Sequence, residues 1–136
     1  MQRPSQEAHR FAVYLHIPYC RVQCPYCTFY TVSAKKGGDT AQRFVAAVVE
    51  EWRLRVLPRL ARGERVSTLY LGGGTPSDLP LPALDRLLSA FAGAIPGGLH
   101  TLSEVTVECN PESATPDLLD LLRERGVNRI SLGIQA

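Results

Sequence analysis

Between residues 11 and 17 apolar and polar positions alternate: Phe11, Val13, Leu15 and Ile17 fall on one side, with Tyr14 and His16 on the other. That is the period of a half-buried strand, and Pro18 ends it. The period then lengthens. Phe44, Val48, Trp52 and Val56 recur every fourth residue, which predicts a helix over about residues 41–57 with one apolar face. Thr40 is placed to cap it and Pro58 to stop it. A second strand is predicted over 66–71, running into Gly72, Gly73 and Gly74, and a second helix over about 82–92 buries Leu84, Leu87, Leu88 and Phe91. Residues 93–98 form the next break. In the strand over 104–109, Val105, Val107 and Cys109 point one way and Glu104, Thr106 and Glu108 the other. Thr115, Pro116 and Asp117 read as cap, first-turn proline and favourable acid, opening a leucine-rich helix that Gly126 closes. In a last strand over 129–135, Ile130, Leu132 and Ile134 are expected against helices, with Ser131, Gly133 and Gln135 facing inward.

Four strands thus alternate with three helices, the signature of parallel strands with helical crossovers, in which active residues collect at the carboxyl ends of the strands. The chain has 136 residues, 45% of them hydrophobic, which is one domain's worth and enough for a core. Its formal charge of +2 is spread along the chain without a basic run, so a nucleic-acid partner has no support. Residues 1–10 are polar and read as a flexible terminus, with neither a signal peptide nor a membrane span following. A reducing cytoplasm fits, because clustered intracellular cysteines more often bind metal or catalyse than form disulfides.

The candidate chemistry begins after the first strand. Cys20, Cys24 and Cys27 form a C-x-x-x-C-x-x-C run in a turn-prone loop containing Pro25, and three thiolates so placed can converge on one inorganic centre. Three readings stand side by side. Cys24 and Cys27 make a C-x-x-C pair that a redox dithiol would use, though it has no need of Cys20. His16 with the three cysteines makes a Cys3His zinc set. An iron–sulfur cluster wants four thiolates, so three leave one iron open to a small molecule. The glycine run ends the second strand; its amides are expected to meet a carboxylate or phosphate, although it lacks the lysine of a phosphate loop. Glu108 ends the third strand on its inward side, where a carboxylate needs a partner or a ligand, for instance an ion pair with Arg129. Cys109 is expected to pack as a small apolar side chain.

Taken in order, Tyr14 to Cys20, Cys24 to Cys27, Gly72 to Ser77, Glu108 to Glu112 and Gly126 to Gln135 together resemble radical S-adenosylmethionine (SAM) proteins. The branch is that of oxygen-independent coproporphyrinogen III oxidase and the HemW-type heme chaperones. The resemblance implies a partial (β/α) barrel of the three-quarter TIM-barrel type, of which this chain carries about four βα units, as a truncated N-terminal part of the core domain over 11–136. It implies that Cys20, Cys24 and Cys27 ligate a [4Fe–4S] cluster whose open iron is chelated by SAM. Gly73, Gly74 and Thr75 match contacts to the methionine part of SAM, Tyr14, Glu108 and Gln135 match further SAM contacts, and Tyr26 matches one near the adenine or a second ligand. In the family the reduced cluster cleaves SAM to a 5′-deoxyadenosyl radical.

Where the oxidase proper carries a further cysteine two positions past the third, this chain has Phe29, which inclines the reading toward the heme-chaperone branch. A radical-forming oxidoreductase acting on a porphyrinogen, and a zinc-stabilised module without radical chemistry, are the alternatives. For a complete protein the implied partners are heme or a porphyrinogen, a heme-accepting protein and an electron donor such as flavodoxin or ferredoxin. With only four strands, the chain is expected to expose an unpaired sheet edge and to fall short of a competent catalyst on its own.

Overall fold

The computed structural model describes residues 7–33 and 38–134. Four parallel strands form the sheet, in the order β1 (Arg10–Ile17), β4 (Arg65–Gly73), β5 (Glu104–Cys109) and β6 (Arg129–Leu132). Each successive strand lies beside the last after a helical crossover, giving an arc of a β/α barrel. Between β1 and β4 come a two-residue parallel pair, β2 (Tyr19–Cys20) with β3 (Val32–Ser33), then α1 (Gly38–Arg55) and α2 (Leu57–Ala61). Helices α3 (Leu81–Ala94) and α4 (Pro116–Glu124) follow β4 and β5.

The period-two strands send alternate side chains into the layer under the helices. Ile17, Leu69, Leu71, Val105 and Val107 are buried there against Val45, Leu84, Leu87, Leu88, Leu118 and Leu122. Full burial of each large apolar side chain contributes about 1.5–3 kcal/mol. Trp52 of α1 stacks on Phe91 of α3, ring centroids 4.0 Å apart, so the predicted packing role of Trp52 stands.

Three local expectations are corrected. Thr40 does not cap α1, which begins at Gly38 with Asp39 in its first turn. Pro58 does not simply stop that helix: α1 ends at Arg55, and Pro58 sits in the first turn of α2, where its missing N–H has no intrahelical partner to lose. Ile130, Leu132 and Ile134 are not packed against helices but are 40%, 47% and 74% exposed. Strand β6 is the sheet edge, and no element among the described residues covers its outer side. The caps predicted for α4 hold: Thr115 accepts from the Leu118 amide, and Gly126 adopts φ +93° beyond the C-terminus.

The inner face of the arc is read from the strand register. Tyr14 lies beside Tyr70, Tyr70 beside Thr106, and Thr106 beside Arg129. Nearer the carboxyl ends, His16 lies beside Gly72, and Glu108 beside Ser131. These two rows lead up to the rim where the loops begin.

Candidate functional site

A cavity of about 750 Å³ opens at the carboxyl ends of the strands. Cys20, Cys24, Cys27, Tyr26, Gly73, Gly74, Thr75 and Glu108 all line it, with Asn110 and Ser131. Tyr14 does not: it lies one row down, its hydroxyl 3.0 Å from His16 Nδ1 and its ring stacked on Tyr70 at 6.0 Å. Gln135 lies outside the described residues.

Each wall has a local cause. The cysteine loop turns at Pro25–Tyr26, where the Cys27 amide donates to the Cys24 carbonyl at 3.0 Å. At the other end of the run, Cys20 Sγ is 3.4 Å from the Thr75 hydroxyl, to which the Asn110 side-chain amide donates at 3.3 Å. Each glycine is required by a different neighbour. A Cβ at Gly72 would stand 2.7 Å from the Tyr70 ring and 3.0 Å from the Glu108 carboxylate; one at Gly73, where φ is +112°, would stand 2.7 Å from the His16 ring. At Gly74 a Cβ would meet the Tyr19 carbonyl oxygen at 2.6 Å and Cys20 Sγ at 3.0 Å.

Of the amides in this run, one meets a carboxylate as the sequence led us to expect, but that carboxylate is the protein's own Glu108, and the next two are taken by backbone carbonyls. The Gly73 N–H donates to Glu108 Oε2 (3.2 Å), Gly74 N–H to the Ile17 carbonyl (2.8 Å) and Thr75 N–H to the Tyr19 carbonyl (2.6 Å). The amides of Gly73, Gly74 and Thr75 are thus already engaged, while the Glu108 carboxylate faces the cavity as an acceptor. Glu108 is not paired with Arg129, which reaches Glu104 instead at 3.2 Å. Its carboxylate is held by the Tyr70 hydroxyl at 2.6 Å and by Gly73, leaving lone pairs for a further donor. That bond to Glu108 raises the Tyr70 pKa, with burial adding to it, so the phenol stays protonated and donating. The Tyr14 hydroxyl is pushed up by burial and by the Glu108 charge.

Residues 14–136 match the Radical SAM superfamily. The chain belongs to that superfamily. It is 37% identical to the heme chaperone HemW of Lactococcus lactis over 99% of this chain and 31% of that protein. It is 38% identical to the mitochondrial radical S-adenosyl methionine domain-containing protein 1 of Bos taurus, over 99% of this chain and 29% of that one. With the oxygen-independent coproporphyrinogen III oxidase of Cereibacter sphaeroides it shares 34% identity over 91% of this chain and 27% of the oxidase. Among solved structures, coproporphyrinogen III oxidase (HemN) from Escherichia coli, described as a radical SAM enzyme, superposes with a TM-score of 0.79 at 30% identity, over 95% of this chain and 28% of that one. The chain therefore spans about a third of the length of these relatives, and the partial β/α barrel is that of the radical SAM fold.

Radical SAM proteins as a family use a [4Fe–4S] cluster and SAM, and the donor set fits such a group. The three thiols are free of disulfides, partly accessible and on the wall of one cavity. Among the described residues no three His, Cys, Asp or Glu side chains gather closely enough for a single metal ion. In a cluster each thiolate takes a different iron, so the ligands stand further apart. His16, the fourth ligand of the zinc alternative, has both ring nitrogens engaged, Nδ1 by Tyr14 and Nε2 by the Tyr30 carbonyl at 3.3 Å. Burial pushes the Cys20 thiol up; the Thr75 hydroxyl opposes this, and the Asp78, Cys27 and Cys24 charges add to it. Cationic iron would offset that crowding of negative charge.

Three residues in or beneath this cavity were given no role by the sequence reading. Tyr70 aims Glu108, and its inward place in the second strand was the available signal. Ser77 and Ser113 are buried and hydrogen-bonded to each other beneath Asn110, whose amide donates to Ser77 at 3.1 Å. No periodicity announces them. Cys109, as expected, is buried at 2% exposure beneath the rim.

Proposed function

We propose that this chain is the cluster- and SAM-binding part of a HemW-like heme chaperone, acting in tetrapyrrole metabolism in the cytoplasm. The observation that carries the reading is the meeting of three free thiols, the glycine-ended strand and the Glu108 carboxylate on the walls of one cavity. Cys20, Cys24 and Cys27 would be the thiolates that hold the cluster, and three protein ligands would leave it open to SAM. Once bound and reduced, the cluster supplies the electron that opens the SAM sulfonium.

The chain's own part is to bind and orient. Gly73 and Gly74 keep the floor low enough for the methionine part of SAM, beside the Thr75 hydroxyl. Glu108, with acceptor capacity to spare, takes a donor of the cofactor, and Tyr70 fixes its aim. Tyr14, Gln135 and Tyr26 complete the SAM contacts. Phe29, 64% exposed on the cysteine loop, stands where a further thiol would favour the oxidase. In the complete protein, heme or a porphyrinogen, a heme-accepting protein and an electron donor of the flavodoxin or ferredoxin type are the partners this reading assigns.

Anaerobic reconstitution with iron and sulfide tests it. The expected result is about four irons per chain, with a reduced-state EPR signal that shifts on adding SAM. Uptake of zinc alone, or a signal indifferent to SAM, would overturn the reading.

A further inference from the structure

The glycine run fixes Cys20 from one side; a single buried carboxylate fixes its other neighbour. Asp78 ends the 3-10 turn Pro76–Asp78 that follows the glycines. Its side chain is 2% exposed, and both oxygens reach the cysteine loop: Oδ2 accepts the Arg21 amide at 2.9 Å, and Oδ1 lies 3.3 Å from Arg21 Nε. One carboxylate therefore clamps the backbone and the side chain of the residue next to Cys20. Asp78 and Arg21 also line both the thiol cavity and a second cavity of about 560 Å³, whose walls include Leu79, Leu81, Ser113 and Leu118. The pair stands on the wall the two cavities share. A carboxylate this buried is costly unless paired, so the ion pair and the backbone bond maintain each other.

We propose that Asp78 is a positioning residue for the first thiolate: by holding Arg21 it fixes where Cys20 stands. In part this rests on the cluster reading above, since a held Cys20 retains iron. Groups that orient metal ligands change metal affinity about 10- to 100-fold when removed. Asp78→Asn keeps an oxygen for the Arg21 amide and loses the charge; Asp78→Ala loses both. Arg21→Ala loses the guanidinium and keeps the amide bond.

The test uses the whole 136-residue chain. In the iron-free, reduced protein, alkylation of each cysteine is timed by peptide mass spectrometry. Cys20 should react faster in Asp78→Ala than in wild type, with Arg21→Ala between them and Cys24 and Cys27 unchanged; rates are compared at the high-pH plateau, where every thiol is ionised and loss of the Asp78 charge cannot by itself raise them. In the reconstituted protein, iron release to a chelator should accelerate in the order Arg21→Ala, Asp78→Asn, Asp78→Ala, by about 10-fold to about 100-fold. Thermal unfolding of each iron-free variant identifies any chain that has lost its fold; Asp78→Asn, the mildest change at this carboxylate, is the comparison that survives such a loss. Wild-type labelling of Cys20 in the folded variants, or a uniform rise at all three cysteines, overturns the proposal. If the wild type takes up no iron, the cluster reading falls, and the labelling of Cys20 still decides whether Asp78 holds it.

Discussion

Replacing Gly74 by alanine gives the most direct measure of how tightly the cysteine loop lies on the glycine run. The new methyl would stand 2.6 Å from the Tyr19 carbonyl oxygen, 2.9 Å from the Pro18 carbonyl carbon and 3.0 Å from Cys20 Sγ. Two of those atoms are backbone and cannot rotate aside. The Tyr19 carbonyl also accepts the Thr75 amide at 2.6 Å, while the Gly74 amide donates to Ile17 at 2.8 Å. Relief by moving the loop a few tenths of an ångström therefore weakens those hydrogen bonds. Overpacking costs about 1–3 kcal/mol, and each weakened backbone bond up to about 0.5–1.5 kcal/mol. The stiffer unfolded chain of the alanine variant returns about 0.4–1 kcal/mol. Gly74 is not among the positive-φ glycines, so no backbone strain is added. The net loss is about 2–3 kcal/mol, which for a domain of this size lowers Tm by roughly 6–15 °C. Anaerobic thermal unfolding of the iron-free chain reads this. Gly93→Ala is the control: it lies in α3 with nothing within 4 Å of a new Cβ, and it should stabilise by about 0.5–1 kcal/mol. A Gly74→Ala chain as stable as wild type, or stabilised like the control, would show that the close approach does not exist.

Tyr70→Phe removes the hydroxyl that aims Glu108 and keeps the ring; SAM should bind the reconstituted chain about 10-fold more weakly by equilibrium dialysis, at unchanged iron content. Leu87→Ala, at a fully buried position, should cost about 2–5 kcal/mol in urea unfolding. Glu64 accepts from Arg59, whose guanidinium also lies 3.7 Å over the Phe11 ring. Its carboxyl is held below its ordinary 4.5, chiefly by that hydrogen bond. A depressed folded value means that the contribution to stability is present above about pH 4.5 and is lost as pH falls through the folded value. Glu64→Gln should therefore flatten this part of the acid dependence of the urea midpoint, and an unchanged acid slope would refute the assignment.

Strand positions and the rim were legible because they depend on local period: Phe11 to Ile17, and Glu104 to Cys109, could be drawn from alternation alone. What failed depends on neighbours far along the chain. Alternation placed Ile130 and Leu132 on the helix-facing side correctly, yet period says nothing of whether a helix is there to cover them. The glycine run announced a close approach, but that its amides are already engaged by Ile17, Tyr19 and Glu108 required the register of three strands. Arg129 was a reasonable partner for Glu108 by charge; Tyr70, two residues before Gly72, wins because Gly72 leaves room for its ring. Pairings such as Arg21 with Asp78 have no local signal at all.

The short ladder β2–β3 has a consequence for chain entropy. Tyr19 pairs with Val32 and Cys20 with Ser33, and the Val32 amide donates to the Pro18 carbonyl at 2.7 Å. The segment 21–31 is thereby a closed loop in the folded protein before anything binds to its thiols. Closing a loop costs free energy that grows only with the logarithm of its length, about 0.6 kcal/mol for each doubling. Residues inserted between the ladder and Cys24 should thus leave the barrel arc folded while they displace two of its three thiols. The loop can vary in length almost independently of the sheet that carries it, and the ladder is the seam at which the two are separable.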